Sequence, residues 1–356
     1  MERSVCEKNA KARWDSIAKP IDSLGKLEKD VIKLAGIFGS SDPEKMSIDK
    51  RALLVLCADH GVVEEGVTQT GKDVTKTVAE NFAAGKSTVN LLAQRADCDV
   101  FPVDIGMDTE PYPAKELKIG SVADFKVARG TKNLARTSAM TIPECRQAIE
   151  TGFRLVRDLK SRGYRIILTG EMGIGNTTPT GCLAAMLLHQ DPATMVGRGA
   201  GLSDVGLKKK REVVEAAVKR ATEKQLASPT GLLAEVGGFE IAAMCGIYLA
   251  AVQEQIPVVI DGAISAVAAL AASALDPHVP AYCLASHLPA ENAGRMALER
   301  MNLDPVIDGH LALGEGSGGV MLLPLLDMAL DVYTKMGTFE AYSIGAYQRF
   351  GNEPRF

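Results

Sequence analysis

The sequence predicts an α/β protein with a doubly wound, mostly parallel sheet and a small helical subdomain built from both termini. Two patterns carry that expectation. Short continuous apolar runs alternate with longer segments of helical period, and each end of the chain is helical in pattern without a strand of its own. At 356 residues the chain exceeds an average domain, yet still fits one large α/β unit with an accessory piece. Its 34 glycines and 5% aromatic content suit tight βα turns and close helix packing better than a β-sandwich.

Five apolar runs read as strands. Ala52 to Ala58 leads into Asp59-His60-Gly61, Val100 to Ile105 into Gly106, and Tyr164 to Thr169 into Gly170-Glu171. Pro257 to Ile260 leads into Asp261-Gly262, and Tyr282 to Ala285 into Ser286-His287. The runs are too short for helices and lack polar alternation, so they read as strands buried on both faces of a parallel sheet. Helical period covers Asp73 to Leu92, Thr141 to Lys160, Lys208 to Leu226 and Leu232 to Glu254. Thr141 to Lys160 opens with a capping box, Thr141 and Glu144, and places Ile142, Cys145, Ile149, Phe153, Val156 and Leu159 on one face. The α/β domain is expected over 39–319, and the helical subdomain over 1–38 plus 320–356.

Composition narrows the class. A hydrophobic content of 46% supports a sizeable core, and a net charge of −4 gives no basic footprint for nucleic acid. The N-terminus lacks an apolar signal region, and the longest apolar stretch, Ile241 to Val252, is too short to span a bilayer. Seven scattered cysteines with no C-x-x-C read as small buried hydrophobes in a reducing compartment, so a soluble, cytoplasmic protein is expected. Five histidines without ligand spacing predict no metal.

In an open α/β sheet, ligands bind outside the carboxyl ends of the strands, which makes Asp59-His60, Glu171, Asp261 and Ser286-His287 candidates. Thr169-Gly-Glu-Met-Gly-Ile-Gly-Asn-Thr-Thr178 follows a strand and precedes a helix. It reads as a phosphate cradle of backbone amides and helix dipole, or as a plain tight turn; no Walker lysine follows. Glu171 within it suits ribose hydroxyls or a helix cap. Gly197-Arg-Gly-Ala-Gly201, followed by Lys208 to Lys210, reads as flexible backbone with phosphate-balancing cations, or as a loop and a surface helix. Leu311-Ala-Leu-Gly-Glu-Gly-Ser-Gly-Gly319 sets one carboxylate, Glu315, among glycines. Partial burial there would raise its pKa toward that of a general base; the alternative is an acid in a glycine turn. Asp59-His60-Gly61 reads as a loop-shaping strand terminus.

Taken together, these motifs resemble the nicotinate-nucleotide:dimethylbenzimidazole phosphoribosyltransferase family. The matching segments are Ala58 to Val62, Gly170 to Thr178, Gly197 to Gly201 and Leu313 to Gly318, joined by Pro20-x-x-Ser-Leu-Gly-x-Leu-Glu28 and Ser286-His-x-x-x-Glu291. The resemblance runs from about Lys19 to Pro324. It implies a pentosyltransferase that moves phosphoribose from nicotinate mononucleotide to an aromatic lower-ligand base, releasing nicotinate and an α-ribotide. It implies a dimer, either of identical chains or with a paralogous chain, with small-molecule substrates and no cofactor. Glu315 matches the catalytic base. Glu171 and the amides of Gly173, Ile174, Gly175, Asn176 and Thr177 match the phosphoribosyl site, and Lys210 matches a lysine near the phosphate. Gly199, Asp261, Ser286 and Thr68 complete the expected substrate-binding set. After Glu65-Gly66-Val67 the family usually continues Ser-x-Tyr-Pro, whereas this chain has Thr68-Gln-Thr-Gly-Lys-Asp73. In the family that segment borders the acceptor pocket, so acceptors extending to phenol and p-cresol are expected alongside dimethylbenzimidazole; the alternative is that the loop has drifted and dimethylbenzimidazole alone is used. A hydrolase of N-ribosyl bonds and a partner-dependent nucleotide-binding subunit are the alternatives.

Overall fold

The apolar runs form strands because each can bury side chains on both faces at once. The computed structural model describes residues 2–226 and 228–348, so the last eight residues of the expected terminal subdomain lie outside the described residues. The elements run α1 (Arg3–Ser16), α2 (Lys26–Phe38), β1 (Arg51–Ala58), α3 (Asp73–Ala83), α4 (Thr88–Arg95), β2 (Cys98–Gly106) and β3 (Ala123–Asp124). Then come α5 (Ile142–Ser161), β4 (Ile166–Met172), α6 (Thr177–Leu188), α7 (Asp204–Glu223), α8 (Pro229–Val236) and α9 (Phe239–Glu254). The chain continues with β5 (Val258–Ile260), α10 (Ala263–Leu275), α11 (Val279–Tyr282), β6 (Cys283–Ala285), α12 (Asn292–Arg300) and α13 (Ser317–Lys335).

The six strands pair in the order β3-β2-β1-β4-β5-β6, every neighbour parallel. Along β1, Leu54 and Leu56 enter one core while Leu53, Val55 and Cys57 enter the other. Helices α5 to α10 cover the first core. Helices α1, α2, α3, α4 and α13 cover the second, where Trp14, Leu34, Phe82, Val89, Leu326 and Tyr333 pack with the sheet residues. The two chain ends also meet directly through an antiparallel bridge between Ile17 and Thr338. Arg51 ties the start of β1 to α13 by donating to Asp327 at 2.6 Å.

Several elements differ from expectation. The segment Asp73 to Leu92 is two helices, because Gly85 turns left-handed (φ +71°) and Ser87 caps α4 by accepting from the Asn90 amide. The segment Leu232 to Glu254 breaks at Gly237-Gly238, where a Cβ on Gly238 would lie 2.6 Å from both His60 and Glu240. The fourth strand runs on through Gly170 and Glu171 to Met172, so Glu171 is a strand residue paired with Leu56 and not part of the turn. The edge strand β3 has two residues and carries no apolar run for a sequence reading to find. The capping box of α5 forms as expected. Its Gly152 meets α9, and Gly246 of α9 meets α5, so closely that an added Cβ would sit 2.2 and 2.0 Å from backbone oxygens.

Candidate active site

This strand order makes β1 and β4 the switch point of the sheet, where crossovers leave toward opposite edges and open a crevice beyond the carboxyl ends. A cavity of about 480 Å³ lies there. Eleven of the twelve expected site residues line it: Thr68, Glu171, Gly173, Ile174, Gly175, Asn176, Thr177, Gly199, Lys210, Asp261 and Glu315.

One wall is built for an anion. The turn after β4 lines the cavity and leads into α6, whose N-terminus carries the positive end of the helix dipole. Close backbone packing holds that turn. A Cβ on Gly173 would lie 2.5 Å from the Ala58 carbonyl oxygen, and Gly175 has φ +96°. Ile174 N–H donates to Thr75 Oγ1 at 3.2 Å. Beside the turn lies Lys210, only 1% exposed, which donates to Thr177 Oγ1 at 2.6 Å and to the Gly197 carbonyl at 3.2 Å. Among the described residues it makes no ion pair. Burial pulls its ammonium down to about 8, with Glu291 acting the other way.

Carboxyl groups line the cavity as well. Glu171 accepts from the Asn176 side-chain amide, and enclosure by the cavity walls raises its carboxyl to about 8, reinforced by Glu240, Asp261 and Glu315. Glu315 sits at φ +63° between two left-handed glycines. Burial raises its carboxyl, against an amide bond from Val89, and its Oε2 has no partner. Glu315 lines the cavity, and a carboxyl group of raised basicity there is suited to accept a proton. Asp261 is different. Its oxygens accept from the amides of Gly316, Gly318 and Gly319, so they point toward the start of α13.

Ser286 does not reach the wall. It is fully buried, donates to the Asp261 carbonyl at 3.2 Å, and leaves its neighbour His287 to line the cavity. His287 was visible in the sequence only as the next residue of a strand-end pair. The wall residues Ser265, Glu291 and Gln69 stood outside the expected set. Ser265 had no sequence signal; Gln69 belonged to the departing segment, but its contact is set across space, since its side-chain amide bonds the Gly201 carbonyl and joins two loops at the mouth. His60 lies outside the cavity lining, 3.0 Å from Glu240 and fully buried, where it packs under Gly173 and Gly238. Asp59 accepts from the Asp108 amide at 2.8 Å. Both residues shape the loops around the strand end. Among the described residues, no group of three or more His, Cys, Asp and Glu side chains is placed to hold a metal ion.

A family model described as phosphoribosyltransferase matches residues 3–344. The nicotinate-nucleotide–dimethylbenzimidazole phosphoribosyltransferase of Acetivibrio thermocellus is 40% identical over 336 residues, which is 94% of this chain and 93% of the relative. The chain belongs to the nicotinate-nucleotide–dimethylbenzimidazole phosphoribosyltransferase family. The enzyme of that name from Geobacter metallireducens is 41% identical, over 93% of this chain and 91% of its own. Among solved structures, CobT from Thermus thermophilus superposes with a TM-score of 0.87 at 36% identity, covering 96% of this chain and 99% of that one. This protein is therefore a pentosyltransferase with an α/β fold. Among its described residues, no helix is long and apolar enough to cross a membrane.

Within this phosphoribosyltransferase the first half of the departing segment Thr68 to Asp73 is a cavity rim. Thr68, Gln69 and Thr70 line it, and Thr68 Oγ1 donates to the Thr70 carbonyl at 2.9 Å.

Proposed function

We propose that this enzyme transfers phosphoribose from nicotinate mononucleotide to an aromatic lower-ligand acceptor, giving an α-ribotide and nicotinate for cobamide assembly. The observation that carries the reading is Lys210. A buried lysine costs several kcal/mol unless something anionic offsets it. Here that anion is the substrate phosphate, seated between Lys210, Thr177 and the backbone of the Gly173 to Thr177 turn beside Gly199, where the amides of Ile174 and Asn176 are already engaged by Thr75 and Gly173. The ribose then extends toward Glu171, whose raised pKa leaves it protonated near neutral pH and able to donate to a ribose oxygen.

The acceptor attacks C1′ from the face opposite the nicotinate. As the new bond forms, the C1′–N bond to the pyridinium breaks, and its electron pair returns to the ring nitrogen. Inversion converts the β-nucleotide into an α-product. Glu315 takes the acceptor's proton. Holding both partners in line supplies on the order of 7–11 kcal/mol in well-oriented systems, and a positioned base adds roughly 100-fold or more.

The acceptor is dimethylbenzimidazole or a related base, with phenol and p-cresol admitted by the rim. Thr68 to Thr70 offer hydroxyl and amide groups where a proline and an aromatic wall would favour a bicyclic base; an aromatic contact is worth about 0.5–1.5 kcal/mol beyond burial. A phenol, with a pKa of about 10, attacks only as its proton leaves, so it depends more on Glu315 than a benzimidazole does. The enzyme acts as a dimer, of identical chains or with a paralogous chain, which would cover the exposed Met321 and Met328 of α13 and Leu91 of α4. A cytoplasmic setting is supported by seven buried cysteines without a disulfide.

The test is product analysis with nicotinate mononucleotide and a panel of dimethylbenzimidazole, phenol and p-cresol, for this chain alone and with any paralogue. Acceptor-dependent nicotinate release with an α-ribotide supports the reading. Release in water alone would make it a hydrolase, and benzimidazole product without any phenolic ribotide would remove the phenolic extension.

A further inference from the structure

The strap that carries Glu315 is held chiefly through its backbone. Gly314, Glu315 and Gly316 take φ values of +78°, +63° and +87°, three left-handed residues in succession, and the middle one bears a side chain. Such a stretch persists only where its surroundings over-determine it. The Glu315 side chain takes one amide bond, from Val89, and leaves Oε2 without a partner, so most of the restraint lies in contacts of the strap's backbone.

Two contacts supply it. On one side the strap lies flat on β4, where a Cβ on Gly170 would be 2.6 Å from the Glu315 carbonyl oxygen. On the other side Asp261 grips it. Asp261 Oδ2 accepts from Gly316 N–H at 3.1 Å, and Oδ1 accepts from Gly318 and Gly319 at 2.7 and 3.1 Å. Asp261 is itself anchored, because its own N–H donates to Ser265 Oγ at 3.1 Å. Ser265, Thr169 and Tyr248 form a buried ring of hydroxyls spaced 2.6–2.7 Å apart, and Thr169 also donates to the Val259 carbonyl. The chain of contacts runs from the sheet interior through Asp261 to the backbone of Glu315.

We infer that Asp261 is a positioning residue for transfer: its carboxylate clamps the start of α13 and so aims Glu315 into the cavity. It also occupies helix-terminal amides that would otherwise be free to bind the Glu315 carboxylate and lower its basicity. With three amide donors on its two oxygens, Asp261 has little capacity left for substrate. The inference rests on the reading of Glu315 as the base.

The test is a double-mutant cycle on steady-state transfer to dimethylbenzimidazole. Asp261→Asn keeps the size but turns an NH2 group toward amide donors, so at least one of the three bonds is lost. The expected result is a kcat lower by about 10- to 100-fold, since a displacement near 1 Å can cost that much, with the KM for nicotinate mononucleotide within about threefold of wild type. In a Glu315→Gln background the same change should cost nothing further. A raised KM with kcat intact, or a loss that multiplies in the Glu315→Gln background, would overturn the inference. Should Asp261→Asn lose its cooperative melt, Ser265→Ala runs through the same cycle, since it keeps the carboxylate and removes its anchor. A smaller kcat loss that vanishes with Glu315→Gln supports the clamp, and an additive one overturns it. Full activity in Glu315→Gln alone would instead sink the base reading, so the two failures are separable.

Discussion

Replacing Lys210 by Met separates a structural lysine from a ligand-binding one. Met keeps the length and the apolar stem and removes the charge. A fall from an ordinary lysine value of about 10.4 to about 8 corresponds to roughly 3 kcal/mol by which the folded, ligand-free protein disfavours the buried ammonium. Two hydrogen bonds are lost with it, to Thr177 and Gly197, at about 1 kcal/mol each. The net expectation is a free enzyme more stable by about 1–2 kcal/mol. With about 2.1 cal/mol/K per residue, that is a Tm higher by roughly 1–3 °C. The sign follows from linkage. The folded value is depressed, so the cost is full below pH 8 and fades as pH rises from about 8 toward 10.4, closing the gap between variant and wild type. Function moves the other way. Losing a charged hydrogen bond to phosphate, about 1.5–3 kcal/mol, should raise the KM for nicotinate mononucleotide by about 10- to 100-fold. In the wild type, kcat/KM should fall as pH rises above about 8, when the free enzyme loses the Lys210 proton. Thermal melts across pH, with and without the nucleotide, and initial rates give both readouts. A variant that melts several degrees lower with an unchanged KM would refute the argument, because Lys210 would then be holding the fold.

Three other outcomes follow from the site. Glu315→Gln should fold and bind nicotinate mononucleotide normally while kcat drops roughly 100-fold or more, and turnover within about threefold of wild type would count against a base there. Gly175→Val forces a branched residue to φ +96° and brings a Cβ within 2.9 Å of Val63; it should cost about 1–3 kcal/mol of stability and raise the nucleotide KM at least tenfold, as read by denaturant melts and kinetics. Chelator and reductant should leave activity unchanged, since the seven cysteines are buried and unpaired; inactivation by EDTA in a dialysed preparation would point to a metal step.

Much of this protein was legible in its sequence, because local chemistry carries the signal. Unbroken apolar runs ending in small or acidic residues announce buried parallel strands, and the capping box of Thr141 and Glu144 announces α5. The glycines around Glu315 and in Gly173 to Gly175 mark places where backbone must bend or be approached closely, so the candidate site could be named from motifs. What the sequence could not say was set by distance in space. The strand order put β1 beside β4 and made their ends a crevice, since pairing depends on which faces the helices cover. Gly85 and Gly237-Gly238 broke two helical patterns because capping and close packing against His60 and Glu240 outweigh periodicity. Ser286 and His287 are adjacent in sequence, yet only His287 meets the cavity, because Ser286 Oγ is buried against the Asp261 carbonyl and the His287 ring. The charge state of Lys210 depends on burial without an ion-pair partner among the described residues, and the hold of Asp261 on the strap of Glu315 spans 54 residues of chain. Motifs identify which groups take part; only the packed sheet decides which of them face one another, because solvent exclusion and hydrogen-bond geometry are properties of the assembled core.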